Sequence, residues 1–247
     1  MEKANKTVTA GVVLIGDELL SGRTQDTNLK TIADFLAPLG VQIGEARIIA
    51  DVAQIITQTI REFSDRFDYV FSTGGIGPTH DDITADCVAA AFGVGISERE
   101  DALAELRQRY SDEELNAARR RMARIPDGAT LIKNPVSQAP GFQAQNVFTM
   151  AGVPSIMKSM LVDIAPRIQG GAQSLSRTVH TDGFGEGDAA AGLAEIEQNF
   201  PDVTIGSYPY FTENSHGVNF VARSTDINQL DEAELALKKL VERLTKR

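Results

Sequence analysis

Phe67-Asp-Tyr-Val-Phe-Ser-Thr-Gly-Gly-Ile-Gly-Pro-Thr-His-Asp-Asp-Ile-Thr84 begins as an apolar run and ends in a glycine-rich, then acidic, turn. Tyr69 to Phe71 are β-prone, Gly74, Gly75 and Gly77 free the backbone for a tight turn, and Ile83 to Phe92 resume an alanine-rich helical pattern. The stretch therefore reads as strand, loop and helix, with a ligand site expected in the loop.

The sequence before this stretch repeats the pattern twice. Thr9 to Ile15 is a short apolar strand closed by Gly16-Asp-Glu-Leu-Leu-Ser-Gly22, and Asp26-Thr-Asn28 opens a helix with its apolar stripe on Leu29, Ile32, Ala33, Leu36 and Leu39. Gly40 ends that helix, Val41 to Ile49 is the second strand, and Ile55, Ile56, Thr59, Ile60 and Phe63 mark the next helix. Near-continuous apolar strands alternating with helices predict a parallel sheet covered on both faces. Such sheets bind ligands at the carboxyl ends of their strands. The polar stretches Gly16 to Asn28, Asp51 and Thr73 to Thr84 all follow strands and should converge on one crevice.

Residues 98 to 124 read as a charged helical segment, with Ser111-Asp-Glu-Glu114 as a capping box that starts a new helix. On that helix Arg120 and Arg124 share a face and could reach a phosphate, although a solvated surface is the plainer reading. Ala129 to Ile132 and Asn146 to Met150 are short strands separated by the loop Asn134 to Gly141. After the break Ala151-Gly-Val-Pro154, a helix over Ser155 to Ile168 is expected, with Pro154 in its first turn.

Gln169 to Ser176 is small and polar and reads as a linker between a domain over residues 1–170 and a second over 177–247. Strand (Arg177 to Thr181), helix (Asp188 to Asn199), two strands (Val203 to Tyr208, Gly217 to Ser224) and helix (Asp231 to Leu244) make the second a small α+β domain of β-α-β-β-α order.

Composition narrows the function classes. The 247 residues carry a formal net charge of −10, and residues 177–247 hold 12 Asp/Glu against 7 Lys/Arg, which argues against a nucleic-acid platform. The single cysteine, Cys87, lies in an apolar helical pattern, which excludes an intramolecular disulfide and favours a buried thiol. Met1 to Thr7 lack an apolar signal core, and no apolar run approaches the ~18–20 residues of a membrane span, so a cytoplasmic protein without membrane contact is expected.

The loop Thr73 to Thr79 has neither the Gly-Lys-Ser/Thr of a P-loop nor a Gly-x-Gly-x-x-Gly fingerprint. It offers unhindered N–H groups beside a helix N-terminus, which suit an oxyanion. Asp81 and Asp82 are ordinary residues for a helix cap or first turn, yet with Glu18, Asp26 and Asp51 they could form an oxygen-rich set for Mg²⁺ or a similar hard cation. His80, His180 and His216 have no metal-binding spacing. His80 reads as a solvent-facing loop residue and His216 as a turn residue. No Ser-His-Asp arrangement is evident and the Gly-x-Ser-x-Gly elbow is absent.

Gly16-Asp-Glu-Leu-Leu-Ser-Gly22, Asp26-Thr-Asn28, Thr73 to Thr84, Ala139-Pro-Gly141 and Ala151-Gly-Val-Pro-Ser-Ile-Met-Lys158 together resemble the molybdopterin-binding domain of the competence/damage-inducible protein A (CinA) family. Gly16 to Asn28 is also similar to the N-terminal domain of eukaryotic FAD synthases. The resemblance implies a three-layer α/β/α domain with a mostly parallel sheet, followed by the small α+β domain. It also implies divalent-metal-dependent hydrolysis of ADP-ribose-like pyrophosphates, with Mg²⁺ or Co²⁺ as the metal and K⁺ as a further cation. The alternative it leaves open is a non-hydrolytic molybdopterin- or nucleotide-binding protein of molybdenum-cofactor metabolism.

Carried onto this sequence, the family pattern puts Thr73, Gly74, Gly75, Gly77, Pro78 and Thr79 around phosphate. Asp82 falls at the catalytic or metal centre, with Asp51 and Glu18 beside it. Gly16, Asp17, Asp26, Asn28, Asp81, Thr84, Gly141, Gly152 and Pro154 complete the expected ligand-binding set. Related domains oligomerise, so a homo-oligomer, dimer or trimer, is expected. The sequence up to Arg247 contains neither the amidohydrolase domain of long CinA proteins nor the adenylyltransferase domain of FAD synthases, and neither activity is expected of it. The Arg119-Arg-Arg-Met122 run departs from the polar residues of the long members.

Overall fold

The computed structural model describes residues 7–212 and 215–246. The chain divides into two compact units, residues 1–171 and 172–247.

In the first unit, β1 (Val8–Ile15), β2 (Val41–Ile49), β3 (Tyr69–Thr73) and β8 (Val147–Met150) run parallel in a six-stranded sheet of order β2-β1-β3-β8-β7-β6. The last two, β7 (Gly141–Ala144) and β6 (Thr130–Ile132), are antiparallel additions at one edge. The mostly parallel sheet follows from the β-α alternation of the sequence. The antiparallel β7 does not: Gly141 to Ala144 is too short to show a period of two beside β8, and only Gly141 falls in the loop expected over Asn134 to Gly141.

Strand periodicity sorts side chains onto two faces. Val13 and Ile15 of β1 pack with Ile56, Ile60 and Phe63 of α3 (Ala53–Arg66) and with Cys87 and Val88 of α4 (Thr84–Phe92). Val12 and Leu14 face the other way, onto Ile32 and Leu36 of α2 (Asn28–Leu36) and Met157, Met160 and Leu161 of α7 (Pro154–Ile164). Helices thus cover both faces, which gives three layers. Phe63, Phe71 and Phe148 are fully buried, and truncating any one to alanine should cost about 3–5 kcal/mol. The Cys87 thiol is buried, and burial pushes its pKa up, as for an inert core residue.

Gly40 takes φ of 70° and stops α2 after a 3-10 turn over Ala37–Leu39. The chain goes from β1 through α2 on one face to β2, then through α3 on the other face to β3. Between β1 and β3 the path therefore switches sides of the sheet, which opens a crevice at the strands' carboxyl ends.

The charged segment is less helical than its sequence suggests. It holds β4 (Ile96–Glu98), α5 (Glu100–Leu106), α6 (Ala117–Arg120) and β5 (Arg124–Pro126), with β4 and β5 paired antiparallel. The Ser111–Glu114 capping box does form, since Ser111 N–H donates to Glu114 and Glu114 N–H to the Ser111 hydroxyl, but it closes only a turn. The helix starts later, capped by Asn116. Arg124 therefore lies on a strand and shares no helix face with Arg120. Arg120 pairs with Glu98 and Arg124 with Asp86.

On the surface, Arg47 and Arg66 both bind Glu62, and both also pair with Glu45. Hydrogen bonds from Arg47 and then Arg66 lower the Glu62 pKa to about 2 from its usual 4.5. A carboxyl depressed in the folded state adds stability above its unfolded pKa and loses it as pH falls through the folded one. Glu62→Gln is thus expected to melt below the wild type at neutral pH, with the difference vanishing towards pH 2. Thermal melts across that range measure it.

The second unit contains β9 (Leu175–His180), α8 (Glu186–Asn199), β10 (Thr204–Phe211), β11 (His216–Ser224) and α9 (Ile227–Thr245), with an antiparallel sheet of order β10-β11-β9. Val179, Val218, Phe220 and Ala222 pack against Ala189 and Ile196 of α8 and Leu230, Leu237 and Leu240 of α9. This is the expected β-α-β-β-α order. Asp226 caps α9 by accepting from the N–H groups of Asn228 and Gln229. His216 begins β11, where its ring stacks on Phe211, and is not the turn residue expected from its neighbour Gly217.

Candidate functional site

Register brings the ends of four parallel strands into line. Ile15 sits opposite Ile49, Leu14 opposite Thr73, and Thr73 opposite Met150. The Gly16 N–H donates to the Ile49 carbonyl at 3.1 Å and the Gly74 N–H to the Met150 carbonyl at 3.1 Å, so the loops that follow start from one level. Beyond that line lies a cavity of about 580 Å³, within the range of small-molecule sites.

Many of the expected residues border it. Gly74, Gly75, Gly77, Pro78, Asp81 and Asp82 come from the loop after β3, Gly16 and Glu18 from the loop after β1, Asp51 from the turn after β2, and Gly152 and Pro154 from the turn after β8. Gly74 and Gly75 have φ of 101° and 67°, a region that glycine enters without strain. A Cβ on Gly74 would stand 2.1 Å from the Ile15 carbonyl oxygen, and one on Gly75 2.2 Å from the Thr84 hydroxyl. The glycines let the loop pass directly over β1 and the start of α4.

The carboxylates are anchored by backbone donors. Asp51 accepts from the Asp17 N–H at 2.9 Å while Asp17 accepts from the Asp51 N–H at 3.3 Å. Asp82 is no helix cap: it lies two residues before α4 begins at Thr84 and accepts from the Thr79 N–H at 2.8 Å and the Thr79 hydroxyl at 2.5 Å, and α4 has no side-chain cap. Burial raises the Asp51 pKa, the Asp17 N–H opposes the rise, and the carboxylates of Asp17, Glu18 and Asp81 add to it. Negative charge is therefore concentrated on this side of the cavity.

The carboxylates share a cavity without forming a ligand cage. Among the described residues no group of three or more His, Cys, Asp or Glu side chains is gathered closely enough to hold a metal ion. Glu18, Asp51 and Asp82 thus do not make the preassembled oxygen-rich set that their places in sequence suggested.

A model described as a probable molybdopterin binding domain matches residues 11–170, and one described as the FAD synthase middle domain matches residues 173–245. A CinA-like protein from Gemmatimonas aurantiaca is 35% identical over 212 residues, which cover 80% of this chain and 50% of that protein. The chain belongs to the CinA-like molybdopterin-binding domain family. A protein from Pyrobaculum arsenaticum is 31% identical over 245 residues, covering 95% of this chain and 92% of its own. The crystal structure of the protein CinA from Thermoplasma acidophilum superposes with a TM-score of 0.60 at 34% identity, over 64% of this chain and 98% of that one. The chain spans about half the length of the CinA-like relatives it matches.

Within this CinA-like domain, several expected ligand residues hold structure and do not line the cavity. Asp26 accepts from the N–H groups of Asn28 and Leu29 and so starts α2. Asn28 is buried and donates to the Gly152 carbonyl at 2.7 Å, tying α2 to the turn after β8. Thr73 and Thr84 are also buried, and the Thr84 N–H closes the glycine loop by donating to the Gly75 carbonyl. Gly141 is needed for packing, because a Cβ there would lie 2.4 Å from the Thr149 carbonyl oxygen. Asp17 and Thr79 act as partners of Asp51 and Asp82. His80 is fully exposed and does not border the cavity.

Other lining residues were not among the expected site residues. Tyr110, Arg119 and Met122 come from the charged segment, and Asn134, Ser137 and Ala139 from the loop before β7. Asn134 organises that loop, accepting from the N–H groups of Val136 and Ser137 and donating to the Ala139 carbonyl. The Asn-Pro at its start was the available signal, since Asn before a turn commonly bonds the backbone ahead of it.

Proposed function

We propose that the cavity binds a nucleotide diphosphate ester of the ADP-ribose type and catalyses hydrolysis of its P–O–P bridge. Water adds across the bridge, and the products are AMP and a ribose phosphate. The observation that carries this reading is the meeting, in one cavity, of a glycine loop and carboxylates from three strand ends. The glycine loop supplies small, unhindered backbone for the diphosphate. Asp82, fixed by two bonds to Thr79, would orient water or accept its proton.

A divalent cation such as Mg²⁺ or Co²⁺ belongs to the same proposal. Mg²⁺ is commonly held by one or two carboxylates together with substrate phosphates, which needs no protein cage. One or two of Asp82, Asp51 and Glu18 would hold it, together with the diphosphate. When bound, the cation would neutralise charge on the diphosphate. A readout independent of turnover is thermal stability: Mg²⁺ with a nucleotide diphosphate should raise the melting temperature of the wild type and raise that of Asp51→Asn less.

The test of the activity is a turnover screen of the purified chain over nucleotide diphosphate esters with Mg²⁺ or Co²⁺, following release of AMP. The second reading, non-hydrolytic binding of molybdopterin or its adenylated form, is favoured by the description of the matching domain model. Tight pterin binding with no turnover under any divalent cation would establish the second reading and remove the first. A homo-oligomer, dimer or trimer, is proposed as the working assembly, and sedimentation measures it.

A further inference from the structure

The arginines of the charged segment divide by their partners. Arg99 pairs with Asp101, Arg107 with Glu100 and Asp112, Arg120 with Glu98, and Arg124 with Asp86. Among the described residues Arg109, Arg119 and Arg121 have no such ion pair, and Arg121 donates to the Asp82 carbonyl at 3.1 Å. The Arg119 guanidinium lies over the Tyr110 ring, 4.4 Å from the centroid, and donates through Nη1 to the Glu114 carbonyl at 2.6 Å. Arg109 supports the same ring from 5.8 Å and donates to the Val136 carbonyl at 3.0 Å, which ties this segment to the loop before β7.

Arg119 and Tyr110 both line the cavity, and among the described residues lining it Arg119 is the one Lys or Arg. Glu18, Asp51, Asp81 and Asp82 line it as well. A polyanion entering there meets four carboxylates, so its affinity depends on whatever opposes them. A guanidinium stacked on an aromatic ring, with one fork committed to a carbonyl, is oriented in advance. It keeps further N–H donors for phosphate oxygens, at a smaller entropy loss than a freely rotating side chain.

We infer that Arg119, held on Tyr110, is the residue of this cavity that recognises the anionic group of the ligand, and that it selects diphosphate-bearing ligands over the corresponding nucleosides. The inference rests on the proposed phosphate-ligand reading of the same cavity and adds the residue that sets its specificity. Arg119 is a binding residue, and no bond-making role is assigned to it.

The experiment is calorimetric titration of the full chain and of Arg119→Ala, Arg119→Lys and Tyr110→Ala with three probes: ADP-ribose, inorganic pyrophosphate and adenosine. Circular dichroism melts of each variant confirm folding. Arg119→Ala should weaken ADP-ribose and pyrophosphate binding roughly 10- to 100-fold, and Arg119→Lys should recover only part of the loss. Adenosine affinity should be unchanged by Arg119→Ala. Tyr110→Ala should weaken the two anions by a smaller factor, because the guanidinium keeps its bond to Glu114. Folded Arg119→Ala that binds both anions like the wild type overturns the inference and leaves the pyrophosphatase reading intact. Loss of pyrophosphate binding in that variant, without ADP-ribose turnover by the wild type, supports the inference and removes the hydrolytic reading. A wild type that binds neither anion overturns both.

Discussion

Gly74→Ala is expected to lower the melting temperature of the first unit by roughly 5 to 20 °C. Two costs add. The backbone at Gly74 has φ of 101°, where a side chain is strained by about 1–3 kcal/mol. The new Cβ would also lie 2.1 Å from the Ile15 carbonyl oxygen, a backbone atom that cannot rotate aside, and overpacking of that kind costs about a further 1–3 kcal/mol. Gly93→Ala separates the two terms. Gly93 has φ of 65° and nothing within 4 Å of its Cβ position, so only the strain applies and the drop should be about half as large. Calorimetric melts of both variants decide the matter, and equal drops would remove the collision with Ile15 from the account. Because the Gly74 N–H also bonds Met150 at the end of β8, the damage extends to two of the strands that carry the cavity.

The part of the fold legible in the sequence is the part with strong local periodicity. Val41 to Ile49 and the helices after it announce themselves by apolar spacing, and Gly40 marks the intervening stop by its own chemistry. The segment from Glu98 to Arg124 misled because charge and good helix formers satisfy a helical pattern without requiring one. Its Ser111–Glu114 box makes the expected bonds, but the residues after it offer no apolar stripe to bury, and a cap alone does not sustain a helix. Strands of three or four residues, such as β4, β5 and β7, have too few positions to show a period of two, so only their partners across the sheet define them.

The cavity divides in the same way. Gly16, Glu18, Asp51, Gly74, Gly75, Gly77 and Asp82 could be placed together because parallel strands oblige their C-terminal loops to share an edge. Asp26, Asn28 and Thr84 belong to the same motifs but brace the loops from behind, and a motif does not say which of its side chains turns inward. Arg119 could not be distinguished from Arg120 or Arg124 in the sequence. Its separation from them depends on long-range partners, Glu98 for Arg120 and Asp86 for Arg124, which leave Arg119 to Tyr110.

Asp82→Asn is expected to reduce turnover of ADP-ribose by on the order of 100- to 10,000-fold, the range for a positioned group that handles a proton in the reaction. The substitution is chosen to keep the site's shape. Asn retains an acceptor oxygen for the Thr79 N–H and hydroxyl, which hold Asp82 against the loop, so melting should change by only a few °C while the charge is lost. Asp26→Ala should do the opposite. Asp26 caps the start of α2 through the N–H groups of Asn28 and Leu29, and its loss should cost about 0.5–2 kcal/mol of stability while turnover at low temperature persists. Steady-state rates and melts on the two variants test whether the carboxylates are divided between chemistry and architecture. If Asp82→Asn turned over substrate like the wild type, the proton would have to be handled elsewhere, and Glu18 and Asp51, the other two carboxylates proposed for the reaction centre at the cavity, would be the groups to replace next.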